Sequence, residues 1–340
     1  AGSVFVGGNF NGTIDFGGGP LTSAGGYDIF VAKFDTNGNH LWSKRFGDSA
    51  YQSLGALALA GSDVVLLGEK SGTVDFGGGP LTGRNYLVKL AGSNGAHVWS
   101  KQSTSGAGFT PTALTVDSTG ALVGVGLLGS TLDWGMGTIT SAGGDDILVL
   151  KFDSSGNTLW TKRFGDNQFQ QALNVKTDTT GAIFLTGVFQ SSLDFGVGAM
   201  STGTAAVYVA KLAQDGGGVW SKSFGMGVPF CRALAVDALG NVAIAGHTYE
   251  AIDLGGGPLP QTNGATNIFI GKFDRNGKHL WSKGWAAGLN AFDGSGSLDF
   301  DAAGNLLFTG GLHQSTIDLG GGPLATLGAG NFLVLAKFAP

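Results

Sequence analysis

The sequence predicts an all-β fold built from a repeat of about sixty residues. A Leu/Val-Trp-Ser/Thr-Lys tetrapeptide recurs along the chain, around Trp42, Trp99, Trp160, Trp220 and Trp281. An Asp-aromatic/Leu-Gly motif accompanies it, beginning at Asp15, Asp75, Asp133, Asp194, Asp253 and Asp318. Residues that favour helices do not gather at helical spacing, and Glu69 and Glu250 are the only glutamates. We therefore expect almost no helix.

Each repeat contains four strand candidates, called A to D here. Strand A is typified by Ala233-Leu-Ala-Val-Asp237 and strand B by Leu306-Leu-Phe-Thr309. Strand C is typified by Ile29-Phe-Val-Ala-Lys33 and strand D by His40-Leu-Trp-Ser-Lys-Arg-Phe46. All are short, rich in Val, Ile, Phe and Trp, and bounded by Gly, Asn or Asp, as strands are. Strand C is apolar along most of its length, which favours sheets stacked face to face.

Short links of the form Asp-x-x-Gly connect A to B and C to D, for example at Asp237 and Asp35. An Asp side chain can accept hydrogen bonds from the backbone two residues on, while Gly adopts the left-handed conformation that closes a short hairpin. The links therefore predict antiparallel pairs. The B to C connections are longer and rich in glycine.

Four antiparallel strands repeated around a ring predict a β-propeller, with about six blades and an incomplete or shared closing blade. A linear β-solenoid is the alternative, but hairpin links do not suit its parallel coils. We expect one domain over residues 1–340, with units near residues 1–53, 54–110, 111–170, 171–230, 231–292 and 293–340. The recurring strand D tryptophan is predicted to pack between blades.

The two ends of the sequence do not complete the repeat. The chain opens at strand B with Val4-Phe-Val6 and stops after strand C at Phe338-Ala-Pro340. Either the natural chain extends further, or the closing blade is incomplete, or the exposed edges pair with another molecule. We expect six blades whose terminal strands meet at the closure, with self-association through these strands as the alternative.

Composition excludes several classes of function. A net charge of −5 and a pI near 5.4 argue against nucleic-acid binding, which normally needs a basic face. No apolar run approaches the roughly 18 residues that span a bilayer. Cys231 is the only cysteine, so an intrachain disulfide and multi-cysteine zinc sites are excluded. The low charge and the abundance of small polar residues favour an extracellular protein.

Metal sites receive little support. Asp35-Thr-Asn-Gly-Asn39 resembles part of a calcium loop, but the glycine comes early and no bidentate Glu follows. We therefore interpret this segment as the turn of a β-hairpin. The Asp of Asp-Phe-Gly is expected to accept hydrogen bonds from amides of its own turn. His40, His97 and His279 share one repeat position before the Trp of strand D and are expected to be packing residues. We predict no cofactor, with calcium as the weaker alternative.

Departures from the repeat are the ligand-binding candidates. Five residues are proposed on this ground, namely His247, Tyr249, Glu250, Trp134 and Trp285. Phe292-Asp293 and Gln168-Phe-Gln170 are further departures from the repeat. His247, Tyr249 and Glu250 could bind a sugar or serve as acid and base, although Glu250 has no identifiable carboxylate partner for glycoside hydrolysis.

The repeats resemble a bacterial family. Ala-Val-Asp-x-x-Gly-Asn, at Ala235 to Asn241, and Thr-x-Asp-Phe-Gly-Gly-Gly, at Thr13 to Gly19, are similar to SBBP repeats. Lys-Phe-Asp-x-x-Gly-x-x-x-Trp at Lys33 to Trp42 matches as well, whereas Leu90-Ala-Gly-Ser and Leu212-Ala-Gln-Asp depart from it. The resemblance implies a β-propeller of a secreted or surface protein and carries over no catalytic residue.

The sequence thus favours a non-enzymatic extracellular recognition or scaffold module. Similar loops around a ring would bind a glycan or cell-surface polymer multivalently. A structural or protein–protein assembly module, as a surface or filament component, is the alternative. A lyase or hydrolase ranks third, because it would need a polar, asymmetric funnel containing a carboxylate or His with a shifted pKa.

Overall fold

The computed structural model describes residues 2–106, 108–225, 230–261, 266–286, 296–313, 316–325 and 331–339. Within these ranges all regular elements are β-strands, so none of the residues described forms a helix that could cross a membrane. The chain divides into two compact units, Ala1–Ser141 with Leu148–Arg163, and Ala142–Ile147 with Phe164–Pro340.

Long strands form the main sheets, and short strands lie in the loops that connect them. The strands of the first three repeats are, in chain order, β1 (Val4–Phe10), β2 (Thr13–Asp15), β3 (Pro20–Thr22), β4 (Asp28–Phe34), β5 (His40–Phe46), β6 (Gln52–Ala60), β7 (Asp63–Lys70), β8 (Val74–Asp75), β9 (Pro80–Leu81), β10 (Asn85–Leu90), β11 (His97–Gln102), β12 (Ser105–Gly106), β13 (Phe109–Val116), β14 (Leu122–Leu128), β15 (Thr131–Asp133), β16 (Ile139–Thr140), β17 (Asp146–Phe152) and β18 (Thr158–Phe164).

The remaining repeats follow the same order. Their strands are β19 (Gln170–Thr177), β20 (Ile183–Leu193), β21 (Met200–Leu212), β22 (Gly218–Phe224), β23 (Phe230–Val236), β24 (Val242–Thr248), β25 (Asn267–Phe273), β26 (His279–Ala286), β27 (Ser297–Phe300), β28 (Leu306–His313), β29 (Thr316–Asp318), β30 (Pro323–Ala325) and β31 (Asn331–Phe338).

The long strands form antiparallel sheets in the order A-B-C-D. Sheet 1 is β1-β4-β5, sheet 2 is β6-β7-β10-β11, sheet 3 is β13-β14-β17-β18, sheet 4 is β19-β20-β21-β22, sheet 5 is β23-β24-β25-β26 and sheet 6 is β27-β28-β31. In the part of the chain described, sheets 2 to 5 have four strands, sheet 1 lacks strand A and sheet 6 lacks strand D. The predicted fold class is confirmed, since the chain is all-β and its sheets are those of a β-propeller. The number of blades and the mode of closure stay predictions.

Within each unit the core lies between successive sheets. Ile29 and Val31 of strand β4 are fully buried against Val64 and Leu66 of β7 in sheet 2. Strand β25 is buried along its whole length, as the continuously apolar pattern of strand C predicts. Each such aliphatic side chain contributes about 1.5–3 kcal/mol on burial, so the contacts between sheets dominate the stability.

The Asp-x-x-Gly links form the predicted hairpins. The Asp35 carboxylate accepts hydrogen bonds from the Asn37 and Asn39 amides, both at 2.8 Å, and Gly38 has φ +81°. The register of β4 and β5 shifts between Lys33 and Phe34, which marks the accompanying bulge.

The B to C loops contain short strands that the sequence did not predict. They form β2-β3, β8-β9, β29-β30 and, with β12, β15-β16. In sheet 4 the long strands themselves extend through this region, so that β20 has 11 residues and β21 has 13. This extension sets sheet 4 apart from the other sheets.

Candidate functional site

A polar cavity lies at the extended end of sheet 4. Its volume is about 560 Å³, and it is lined by Gln168, Gln190, Ser191, Thr202, Gly203, Thr204 and Ala205. All seven lining residues are uncharged. Amide and hydroxyl groups offer both donors and acceptors, so the cavity suits a neutral ligand rich in hydroxyl groups.

Residues 165–170 and 190–192 form a turn beside the cavity, called the corner here. Hydrogen bonds of Asp166 and Gln170 hold the two segments of this corner together. The Gln170 Oε1 accepts a hydrogen bond from the Asp166 amide at 3.0 Å, and its Nε2 donates to the Asp166 carboxylate at 2.6 Å. The same Nε2 donates to the Gln190 carbonyl at 3.1 Å. The Asp166 carboxylate also accepts from the Ser192 amide at 3.2 Å. Because Gln170 is fully buried, these bonds fix the corner rigidly.

An equivalent corner occurs before sheet 2. There Gln52 binds the Asp48 amide, the Asp48 carboxylate and the Ser71 carbonyl, and Asp48 accepts from the Thr73 amide. Both corners follow the sequence Gly-Asp-x-x-x-Gln. Because both corners share these hydrogen bonds, the bonds have a structural role. A function specific to sheet 4 would depend on the residues by which the two corners differ.

The two corners differ in the residues that face the cavity of sheet 4. Gln168, Gln190 and Ser191 occupy the positions that Ala50, Ser71 and Gly72 hold before sheet 2. Ser191 has φ +63°, and it is the one non-glycine residue of the described ranges with a positive φ. Such strain is characteristic of functional sites. A serine where the equivalent corner has glycine could have revealed this site from the sequence.

Two further groups define the chemistry of the cavity. The Thr202 hydroxyl is buried and has no hydrogen-bond partner in the described part of the chain. Burial raises the pKa of Asp166, but hydrogen bonds from the Gln168 amide, Gln170, Ser191 and Ser192 outweigh it and lower the pKa below its usual value. Asp166 thus remains ionised at neutral pH and is not suited to be a general acid.

The predicted group of His247, Tyr249 and Glu250 lies elsewhere, in sheet 5. His247 is buried in β24 and stacks on Phe230 with ring centroids 5.0 Å apart. Tyr249 is exposed and meets the His247 ring edge-on at 6.0 Å. The adjacent cavity measures about 10 Å³, which is no more than one water molecule needs. His247 thus serves packing in this geometry, and ligand binding by the group stays a prediction.

The two tryptophans predicted as ligand contacts lie in hydrophobic cores. Trp134 is 5% exposed and packs edge-on against Phe152 at 5.3 Å. Trp285 is half-buried and packs on Phe338 at 5.7 Å. Neither residue is among those that line the polar cavity. Of the other departures, Gln168 lines the cavity, whereas Phe292 and Asp293 lie outside the described residues.

The repeated tryptophans and aspartates have structural positions. The Trp42 indole of sheet 1 donates to the Gly92 carbonyl of sheet 2 at 3.2 Å, which places the ring at the seam between two sheets. Asp15 Oδ1 accepts from the Gly17 and Gly19 amides at 2.8 and 3.1 Å. The first of these two bonds recurs at Asp75, Asp133, Asp194, Asp253 and Asp318.

The Asp35 segment, which resembles part of a calcium loop, is held by hydrogen bonds within its own hairpin. Both carboxylate oxygens of Asp35 accept hydrogen bonds within its hairpin, since Asn39 Nδ2 donates to the second one at 2.8 Å. In the ranges described, no three His, Cys, Asp or Glu side chains are placed to hold an ion together.

Comparison with known proteins yields fold-level similarity alone. No protein-family model matches the sequence, and no curated protein matches it. Similar solved structures include a quinohemoprotein alcohol dehydrogenase from Comamonas testosteroni (13% identity, TM-score 0.43, 87% of this chain and 52% of that one). Others are a gluconolactonase from Xanthomonas campestris (14%, 0.41, 84% and 78%) and BamB from Moraxella catarrhalis (14%, 0.39, 93% and 88%). At these identities and TM-scores, no activity or ligand transfers to this chain.

Proposed function

We propose that this protein is a non-enzymatic recognition module that binds a neutral glycan or a cell-surface polymer at the polar cavity of sheet 4. The observation that carries the proposal is the concentration of uncharged hydrogen-bonding groups on one strained corner of an otherwise regular repeat. Gln168, Gln190 and Ser191 line the cavity, and their side chains carry amide and hydroxyl groups, which match the hydroxyl groups of a sugar.

The proposal includes an extracellular location and membership of the SBBP type, both of which rest on the sequence. It places recognition at one corner rather than in every repeat. The equivalent corner before sheet 2 carries Ala50, Ser71 and Gly72, which offer fewer side-chain hydrogen bonds. Multivalent binding would then require several copies of the protein rather than several blades.

A glycan array tests the proposal with a variant that the chain itself suggests. Gln168→Ala, Gln190→Ser and Ser191→Gly together convert the corner into that of sheet 2. Because Gly suits a positive φ, the variant should unfold at the same temperature as the wild type or at a higher one. Its glycan binding should fall at least about tenfold, the equivalent of one or two lost hydrogen bonds.

Two outcomes would contradict glycan recognition at this corner. One is a wild-type protein that binds no glycan on the array. The other is a triple variant that binds its glycan as tightly as the wild type, which would place the site elsewhere. The Ala50→Gln variant is the matched control, since it alters the other corner and should leave binding unchanged.

Assembly is the second candidate, favoured by exposed apolar faces on sheets 1 and 6. Leu335 of β31 is 69% exposed, although the equivalent Val31 of β4 is fully buried. Val4 of β1 is 52% exposed, whereas the equivalent Val64 of β7 is fully buried. If these faces mediate assembly, sedimentation should show concentration-dependent oligomers that Leu335→Glu abolishes. A wild-type chain that stays monomeric at all concentrations would contradict this role.

A further inference from the structure

A second cavity lies at the seam between sheets 4 and 5, both of which belong to the second compact unit. Its volume is about 350 Å³. The side chains that line it are cationic, aromatic or aliphatic, namely Lys222, Phe224, Leu254, Phe273, Lys278 and His279. Among the described residues, neither an acidic side chain nor an amide or hydroxyl side chain lines it. The cavity thus differs in chemistry from the polar cavity of sheet 4.

A leucine at a position that holds an aromatic ring in sheet 2 contributes to the size of this cavity. Phe76 of sheet 2 contacts Phe46 of sheet 1, with ring centroids 4.8 Å apart. Leu254 occupies the position of Phe76 in sheet 5. Phe224, the equivalent of Phe46, stacks on Phe273 instead, at 5.3 Å. Because a leucine is smaller than a phenylalanine, part of the volume of a ring is left unfilled at this seam.

Two lysines, one from each sheet, give the cavity its positive charge. At the seam between sheets 2 and 3, the Lys101 ammonium donates a hydrogen bond to Asn157 Oδ1 at 3.0 Å. Lys222 is the equivalent of Lys101 in strand D of sheet 4, and Lys278 holds the position of Asn157 in the hairpin of sheet 5. A second cation therefore replaces the acceptor at the seam between sheets 4 and 5.

The carboxylates of the adjoining loops are engaged within their own turns. Asp274 Oδ1 accepts a hydrogen bond from the Lys278 amide at 2.8 Å, and Asp253 Oδ1 accepts one from the Gly255 amide at 2.7 Å. In the part of the chain described, neither the Lys222 nor the Lys278 ammonium forms an ion pair. An anion in the cavity would relieve the repulsion between two like charges.

We propose that the cavity between sheets 4 and 5 binds a small organic anion, a carboxylate attached to an aromatic or alicyclic ring. Lys222 and Lys278 bind the carboxylate, and the ring lies against Phe224 and Leu254. Hydrogen bonds that involve an ionised group are the strong ones, and apolar walls with few polar groups are typical of small-molecule sites. A sugar rich in hydroxyl groups is a poor match, since no amide or hydroxyl side chain of the described residues lines this cavity.

Three small compounds separate the contribution of the ring from that of the charge. Benzoate has both, acetate has the carboxylate alone, and benzyl alcohol has the ring alone. In ligand-observed NMR titrations of the intact protein at neutral pH, benzoate should bind at least about tenfold more tightly than either of the others. Its affinity should fall as salt is added, because ions screen the two lysines.

Substitutions taken from the other seams test the two parts of the site. Lys278→Asn reproduces the hairpin residue of sheet 3 and should weaken benzoate binding at least about fivefold, because one charge-assisted hydrogen bond is lost. The hairpin should remain intact, since Asn157 donates to the Asp153 carboxylate at 2.8 Å in the equivalent turn. Leu254→Phe reproduces the residue of sheet 2, fills the cavity and should abolish binding. Lys44→Asn is the matched control at the seam between sheets 1 and 2 and should leave binding unchanged.

Two results would overturn the proposal. One is benzoate that binds no more tightly than acetate or benzyl alcohol. The other is an affinity for benzoate that Lys278→Asn leaves unchanged, and this variant decides the matter by itself if Leu254→Phe does not fold. The triple variant of the sheet 4 corner should bind benzoate like the wild type, which keeps this site separate from the proposed glycan site. A loss of benzoate binding in the triple variant would place the anion in the polar cavity instead.

Discussion

The Trp220 indole donates a hydrogen bond to the Arg275 carbonyl at 3.1 Å, and thereby joins strand β22 of sheet 4 to the C to D hairpin of sheet 5. The Trp42 indole and the Gly92 carbonyl make the same contact between sheets 1 and 2. The indole thus supplies both apolar contact and a hydrogen bond at a seam.

Substitution of Trp220 should separate these two contributions. Trp220→Phe keeps most of the ring contact and loses the hydrogen bond, so the free energy of unfolding should fall by about 1 kcal/mol. Trp220→Ala also removes the ring and should cost about 3–5 kcal/mol. Urea denaturation measures both values. Equal losses in the two variants would show that the ring contributes nothing at the seam.

Gly18 lies so close to the His40 ring that a Cβ on this glycine would overlap it, which predicts a compensating pair of substitutions. Gly18→Ala places a Cβ against the His40 ring and should destabilise the protein by about 1–3 kcal/mol through overpacking. The double variant Gly18→Ala with His40→Thr should recover part of this loss. In sheet 3 the equivalent positions hold Met136 and Thr158, so a larger loop residue is combined there with a smaller residue on strand D. A double-mutant cycle in urea measures the coupling. Additive losses would contradict a direct contact.

Hairpin aspartates should make stability sensitive to acid. Burial raises the pKa of Asp153, but hydrogen bonds from Asn157 and Ser155 outweigh it, so the folded-state pKa lies below the ordinary 3.8. Asp35 has a lowered pKa as well, chiefly through its hydrogen bonds from Asn39. The unfolded chain therefore binds protons first, and the stabilisation is complete above the unfolded pKa and lost as pH falls through the folded one.

The thermal unfolding temperature should accordingly stay constant from pH 7 to about pH 5 and decrease below about pH 4. Asp153→Asn should weaken this dependence, because one titrating group is removed while the hairpin geometry is kept. A midpoint that rises on acidification would contradict the assigned directions.

Cys231 should be inert in the folded protein. It is fully buried, and burial raises the pKa of its thiol to about 12 despite the hydrogen bond from Thr186 Oγ1 at 3.1 Å. The thiolate fraction at pH 8 is then about 10³ times smaller than for a free cysteine. Cys231 should therefore react with a thiol reagent only when urea unfolds the protein. As a control, the Ser154→Cys variant has a second cysteine that is exposed in a hairpin, so one equivalent of reagent should react with it at once. Rapid reaction of the wild-type protein would contradict the buried position of Cys231.

Local patterns explain why much of this fold could be predicted from the sequence. Strands such as β4 and β5 and the Asp35 hairpin depend on residues close together in the chain, and each motif recurs often enough to align. The short strands β2 and β3 were not predicted, because the glycine-rich sequence of their loop indicates a turn. Gln168 was noted as a departure, but nothing in one sequence showed that it lies beside Ser191 and Thr202.

The sequence by itself determined the repeat, the order of strands and the hairpins, because these follow from local conformational preference and from the alternation of apolar residues. Only the tertiary structure decided that Trp134 fills a core and that an uncharged corner opens on sheet 4. These properties depend on which side chains from distant segments meet, and burial and close contact are decided by packing between sheets.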